Sequence, residues 1–193
     1  MLLDDRLFYK SYEIIGGEKF MPPAANPYHS GIIMRLSAII FNYLVKNENG
    51  EVFPDNVDIH LPDGNVFKPD MTVVKSDNIS IIDWGRAIYG VPDMVVEVLS
   101  KSTRRKDITI KKDIYEANGV KEYWIIDPLM KAVDVYLLRD GKYFLDDEYV
   151  LYSEKEKELL TDEEKANIRT QVKVSIFEDL TVNLEDIFAW GNF

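Results

Sequence analysis

The stretch Asp93-Met94-Val95-Val96-Glu97-Val98-Leu99 restricts the possible folds more than any other part of this 193-residue chain. It is strand-length, rich in β-branched residues and almost continuously apolar. That pattern belongs to a strand covered on both faces, in the middle of a sheet with layers above and below. Glu97 interrupts the run. A lone carboxylate in such surroundings is costly to ionise unless something positive pairs with it. Read alone, Glu97 is a structural ion-pair partner, a water-facing group on an edge strand, or a functional group.

The flanking sequence supplies the other layers. Tyr12 to Met21 reads as a hairpin turning at Gly16-Gly17. Pro22 to Pro27 is expected to be an ordered connector. From His29 onward, Ile32, Ile33, Leu36, Ile39, Ile40, Tyr43 and Leu44 recur at three and four residues, an amphipathic helix ending near Asn49-Gly50. Val52–Leu61 and Val66–Val74 read as strands around a Pro62-Asp63-Gly64-Asn65 turn. Lys75 to Gly90 is polar and irregular. Ser102 or Thr103 can cap a helix that runs to about Asn118 and stops at Gly119. Val120–Asp127 and Lys131–Leu138 are strands about a turn at Pro128. Val172–Phe177 suggests a closing strand, and Leu184–Trp190 a terminal helix. The order predicts an α/β sandwich around a mixed sheet.

Composition removes whole classes of function. The chain has no cysteine, hence no disulfide framework, Cys nucleophile or thiolate zinc site. Only His29 and His60 are present, no Gly-x-Ser-x-Gly elbow exists, and Gly16-Gly17 lacks the Lys-Ser/Thr of a phosphate loop. Asp4-Asp5-Arg6 interrupts any secretory signal, and no apolar run approaches the roughly 20 residues of a membrane span. A soluble, cytoplasmic protein with no membrane partner is expected. A net charge of −11 repels nucleic acid at long range, so such a partner must meet a local basic patch.

Residues 101–112 form that patch: Lys101, Arg104, Arg105, Lys106, Lys111 and Lys112 against Asp107 alone, a balance of +5 in the acidic chain. Asp107, Lys111 and Tyr115, four residues apart, share one helical stripe. The helix directly follows the Glu97 strand, so Lys111 can fold back toward the carboxylate. The ordinary alternative is a solvated basic face. Nine acids and two lysines between Asp146 and Glu164 read as a solvated excursion.

Pro69-Asp70 stands at the head of Met71-Thr72-Val73-Val74, one of the few strand positions that tolerate proline. Asp70 alone would pass for a turn residue. With Glu97 on an adjacent strand, it makes a pair whose oxygens can share a divalent ion, as Mg²⁺ prefers. Asp93 cannot join them. It lies roughly 13 Å along the strand from Glu97, and more naturally ties down the preceding loop.

These landmarks together resemble the Uma-type putative restriction endonuclease family of the PD-(D/E)XK nuclease superfamily. They are Tyr12-Glu13-Ile14-Ile15-Gly16-Gly17-Glu18, His29, Lys68-Pro69-Asp70, Pro92-Asp93 through Ser100, Ser102-Thr103-Arg104-Arg105 and Gly119-Val120-Lys121-Glu122-Tyr123-Trp124. The resemblance runs from about Tyr12 to Leu138. It implies one restriction-endonuclease-like domain over residues 1–193, with its core at about 12–138 and a C-terminal elaboration at 139–193. The superfamily pattern places a lysine two residues after the second acid, where this chain has Leu99. The resemblance suggests that Lys111 on the following helix replaces it.

The activity so implied is endonucleolytic hydrolysis of phosphodiester bonds, in DNA, with Mg²⁺ or Mn²⁺. Asp70, Glu97 and the Val98 carbonyl would hold the ion, with Lys111 orienting water or stabilising developing charge. Supporting candidates are Glu18 and His29 as an extra acid or substrate contact, Tyr115 as a prop for Lys111, and Arg104 and Arg105 as phosphate contacts. His29 also fits a plain helix-start residue, and Tyr115 plain core packing. A homodimer is expected, because double-strand cutting needs two sites. Trp84, Tyr89, Phe188 and Trp190 could serve its interface or the core. The alternatives are an inactive nucleic-acid-binding or protein-interaction module, suggested by Leu99 and the net charge, and a small-molecule phosphate hydrolase.

Overall fold

The computed structural model describes residues 12–21, 26–54, 57–100 and 104–188. Pro22 to Ala25 of the expected connector, the Ser102/Thr103 cap, Lys101 and Trp190 lie outside these residues. The glycine turn holds. β1 (Glu13–Ile15) pairs antiparallel with β2 (Glu18–Phe20), and Gly16 and Gly17 both have positive φ, the conformation such a tight turn requires. α1 spans Pro27–Asn47, two residues earlier than its apolar repeat suggests. Asn26, read as connector, is its N-cap, accepting from the Tyr28 and His29 amides, and Pro27 opens the helix where its missing N–H costs nothing.

Two expected strands divide between sheets. In place of Val52–Leu61, β3 (Gly50–Pro54) and β4 (Ile59–His60) belong to different sheets; in place of Val66–Val74, so do β5 (Val66–Phe67) and β6 (Met71–Lys75). Proline explains both breaks. Pro54 and Pro69 have no N–H for a ladder, so the chain leaves one sheet and enters the other at these points. Lys75 to Gly90 is more ordered than its polarity suggests: a 3₁₀ segment (Ser76–Ile81), then β7 (Ile82–Asp83) and β8 (Ala87–Tyr89).

The central sheet runs in the order β12-β11-β10-β9-β6-β3. β9 (Met94–Val98) is buried throughout and lies parallel to β10 (Glu122–Asp127) and antiparallel to β6. β11 (Ala132–Arg139) and β12 (Lys142–Val150) complete it. β12 places Asp146, Asp147 and Glu148, part of the acidic run, on an edge strand; the rest lies in α4 (Glu154–Lys157), at its C-cap Glu158 and in α5 (Asp162–Ala166). Each of these short helices carries a capping box. β13 (Gln171–Lys173) pairs with β14 (Thr181–Asn183), and α6 (Leu184–Phe188) follows. The closing strand is therefore shorter than Val172–Phe177, and Phe188 is buried core.

Alternation on β9 separates two apolar cores. Met94, Val96 and Val98 face α1 and α6. Val95 and Leu99 face a second six-stranded sheet, β2-β1-β5-β4-β8-β7, together with Tyr115 and Tyr123. Both faces of β9 are covered, as its composition demands. Asp93 accepts from the Lys75 amide, Asn78 Nδ2 and Lys121 Nζ, fastening the loop before β9. Burial would raise its carboxyl; those donors hold it below the usual range.

Glu122, also buried, accepts from Trp124 Nε1 at 2.7 Å and the Ile176 amide at 2.8 Å. Burial outweighs these bonds and raises its carboxyl to about 6. Its folded pKa exceeds the unfolded one, so its contribution to stability is full below about 4.5 and disappears as pH rises through about 6. We expect the unfolding free energy of the protein, relative to its Glu122→Gln variant, to fall by about 2 kcal/mol between pH 4 and pH 7. A flat difference across urea titrations would contradict this.

Candidate active site

Pro69 does more than interrupt a strand. It sets Asp70 one step beyond the Met71–Val96 pair of the β6–β9 ladder, and hence opposite Glu97. Asp70 Oδ2 accepts the Val98 amide at 2.6 Å. Its Oδ1 lies 2.9 Å from Nε2 of His29, in the first turn of α1. Two carboxyl groups thus stand opposite in register on neighbouring strands, close enough for Asp70 to raise the Glu97 carboxyl, with the histidine beside Asp70.

Lys111 reaches the pair from a distorted helix. The chain runs through α2 (Arg104–Lys106), a π-helical turn at Asp107–Lys111, and α3 (Lys112–Asn118), which Gly119 ends in the left-handed conformation. The wider π turn coincides with the site, as such turns frequently do. Lys111 Nζ lies 3.0 Å from Glu97 Oε1, 2.9 Å from Glu13 Oε1 and 3.5 Å from Asp107 Oδ1. Tyr115 also donates to Glu97 Oε1, at 3.1 Å. The stripe Asp107-Lys111-Tyr115 faces inward, and Tyr115 braces Glu97 directly, not Lys111.

Glu13 is the acid that sequence reasoning missed as a site residue. β1 delivers it to Lys111, and it also accepts the Lys68 amide at 3.2 Å. Glu18, the candidate from the same hairpin, is exposed on β2 and has no contact with the cluster among the described residues. Arg104 bonds Asp127, whose other oxygen receives the Leu129 and Met130 amides of the β10–β11 turn. Arg105 is exposed. Among the described residues, neither arginine contacts Asp70 or Glu97.

One ammonium sits among three carboxyl groups, so it cannot balance all three if each is ionised. Burial, then Asp107, Asp70 and Glu13, hold the Glu97 carboxyl well above its ordinary range despite the pull of Lys111. Burial opposes charge on Lys111 as well, but Glu97, Glu13 and Asp107 outweigh it and raise the amine's pKa. Lys111 therefore stays protonated. Burial and Glu97 also raise the Tyr115 phenol, which remains a donor. Access is graded. The Lys111 and Glu97 side chains are 5% and 4% exposed, while Asp70 and His29 reach 17% and 12%. A ligand would enter on the Asp70–His29 side.

Among the described residues, no three His, Asp or Glu side chains are arranged to hold a metal ion together. The oxygen donors that stand here for a hard divalent cation are the Asp70 and Glu97 carboxylates. That oxygen set fits Mg²⁺ or Mn²⁺ and does not fit a softer ion.

Residues 9–168 match the model of the Uma2 family, described as putative restriction endonuclease. The chain belongs to this family. A similar solved structure is a putative nuclease of DUF820 from Anabaena variabilis ATCC 29413. It is 19% identical, with a TM-score of 0.64 over 94% of this chain and 91% of that one. At that identity the likeness speaks for the fold, a mixed sheet flanked by helices. The type IIG restriction endonuclease BpuSI aligns over 63% of this chain and 12% of its own, at 14% identity and a TM-score of 0.37, too low to carry an argument. No curated protein matches the sequence. No described helix is long and apolar enough to cross a membrane.

Proposed function

We propose that this member of the Uma2 family is a divalent-metal-dependent endonuclease that hydrolyses phosphodiester bonds in DNA. The observation that carries the reading is the register that sets Asp70 opposite Glu97 on adjacent strands, with Lys111 bonded to the second acid. Asp70, Glu97 and the Val98 carbonyl would hold Mg²⁺ or Mn²⁺. When bound, such an ion polarises a phosphoryl oxygen and lowers the pKa of its water.

The chain's own residues have separate tasks. Tyr115 and Lys111 fix Glu97 Oε1, so the carboxylate has one orientation. The Val98 amide fixes Asp70 Oδ2. Lys111, buried and protonated, opposes the negative charge that would otherwise accumulate among Glu13, Glu97 and Asp107, and favours added charge on a nearby phosphoryl group. Leu99 leaves the usual lysine position apolar, and the ammonium arrives from the helix instead. His29, beside Asp70 at the accessible edge, is a candidate substrate contact. Arg104 and Arg105 remain proposed phosphate contacts outside the cluster.

The test is nicking of supercoiled plasmid by purified protein. Cutting is expected with Mg²⁺ or Mn²⁺, with none after chelation by EDTA. Metal-independent cutting, or no cutting with either ion, would reject the reading. We further propose that the chain acts as one domain and as a homodimer; sedimentation equilibrium should give twice the 22.4 kDa chain mass, and a monomer at micromolar concentration would reject the dimer.

A further inference from the structure

The geometry points to Trp84 as a stacking platform for an unpaired base of the nucleic-acid substrate, with Arg86 as its phosphate contact. This inference rests on the nuclease reading and adds a substrate-binding element to the same site. Trp84 lies at the tip of the β7–β8 hairpin and is 68% exposed, a large apolar surface to leave in water. The tip is held in shape. Asp83 accepts the Gly85 amide on its side chain and the Arg86 amide on its backbone carbonyl. An indole on a fixed turn loses little freedom when a ligand stacks on it.

Its position links it to the carboxylates. The Trp84 ring rests against Phe53, with centroids 6.0 Å apart and planes at 58°. Phe53 pairs with Thr72 across β3 and β6, and Thr72 is two residues beyond Asp70. Period-two alternation places Phe53 on the same face of the central sheet as Asp70 and Glu97, one strand further out. The indole therefore packs against the edge strand of the sheet face that carries both carboxylates. Arg86, two residues along the turn, is 77% exposed on its side chain, and its nearest acid, Asp83, stands 4.0 Å away. That is too loose an ion pair in water to retain it. A chain of net charge −11 needs a local cation and a charge-independent contact to hold a polyanion. Arg86 provides the first and stacking the second.

The experiment measures binding of fluorescein-labelled oligothymidylate by anisotropy in EDTA at fixed salt, so that affinity is read apart from cutting. Trp84→Ala is expected to weaken binding on the order of tenfold, with Trp84→Phe retaining most of the affinity. Arg86→Ala should lower the salt dependence by about one released counterion. Both Trp84 variants should melt like the parent, because the ring is mostly in solvent. The Asp70→Ala protein must keep this binding while losing cleavage. Unchanged affinity in Trp84→Ala, even in a protein that cuts DNA, overturns the inference alone. A parent protein that binds no oligonucleotide overturns it together with the nuclease reading. Trp84-dependent binding without cutting upholds it and rejects only the catalysis.

Discussion

Replacing Lys111 with methionine is expected to destabilise the protein by about 3–5 kcal/mol. Methionine keeps much of the volume, so packing is not the main loss. What disappears is the one ammonium found, among the described residues, between Glu13, Glu97 and Asp107, and the three acids are left to face one another with their side chains 6% exposed or less. In the variant, each acid that remains must ionise beside the others, which raises their folded pKa values. Protonation then favours the folded state, and the deficit should shrink as pH falls from 8 toward 5. Urea denaturation at both pH values checks this. A deficit below about 1 kcal/mol, or one that grows in acid, would show that Lys111 does not hold the cluster together.

The second large effect concerns activity. Asp70→Asn and Glu97→Gln preserve size and part of the hydrogen bonding but remove the charge that attracts a hard cation. Each is expected to lower metal-dependent cleavage by about a thousandfold or more, because loss of the Lewis acid removes several kcal/mol of transition-state stabilisation. Their stabilities should diverge from their activities. Glu97→Gln removes one of the three crowded acids and should melt no lower than the parent by more than a degree or two, whereas its cleavage disappears. Single-turnover rates on a plasmid substrate measure the effect. Cleavage within about tenfold of the parent in both variants would remove these carboxylates from catalysis.

The parts legible in sequence are those whose signal is local. The apolar run around Glu97 revealed β9 and its double burial, and the four-residue stripe placed Asp107, Lys111 and Tyr115 on one inward face. Pro69 marked the head of β6 and brought Asp70 into view. The second sheet was not legible, because β4, β5, β7 and β8 are two or three residues long, too short for any alternation to register. Its existence depends on the chain crossing between layers at Pro54 and Pro69, a tertiary event. Glu13 escaped for the same reason. Its hairpin was clear, but that β1 pairs with β5 and thereby faces Lys111 depends on a contact across the fold. The π turn has no sequence signature at all. It leaves the four-residue spacing of the stripe in place, so a regular helix remains the natural expectation. Arg104 illustrates the converse: the basic cluster was real, yet Asp127 at the end of β10 engages one of its members.

On the proposed reading, Asp70 and Glu97 hold one divalent cation between them. Crystals soaked in Mn²⁺ and measured for anomalous scattering test it most directly. A single strong peak within coordinating distance of both carboxylates, absent from Glu97→Gln crystals, is the predicted result; no peak there, or manganese bound only elsewhere on the surface, would contradict it.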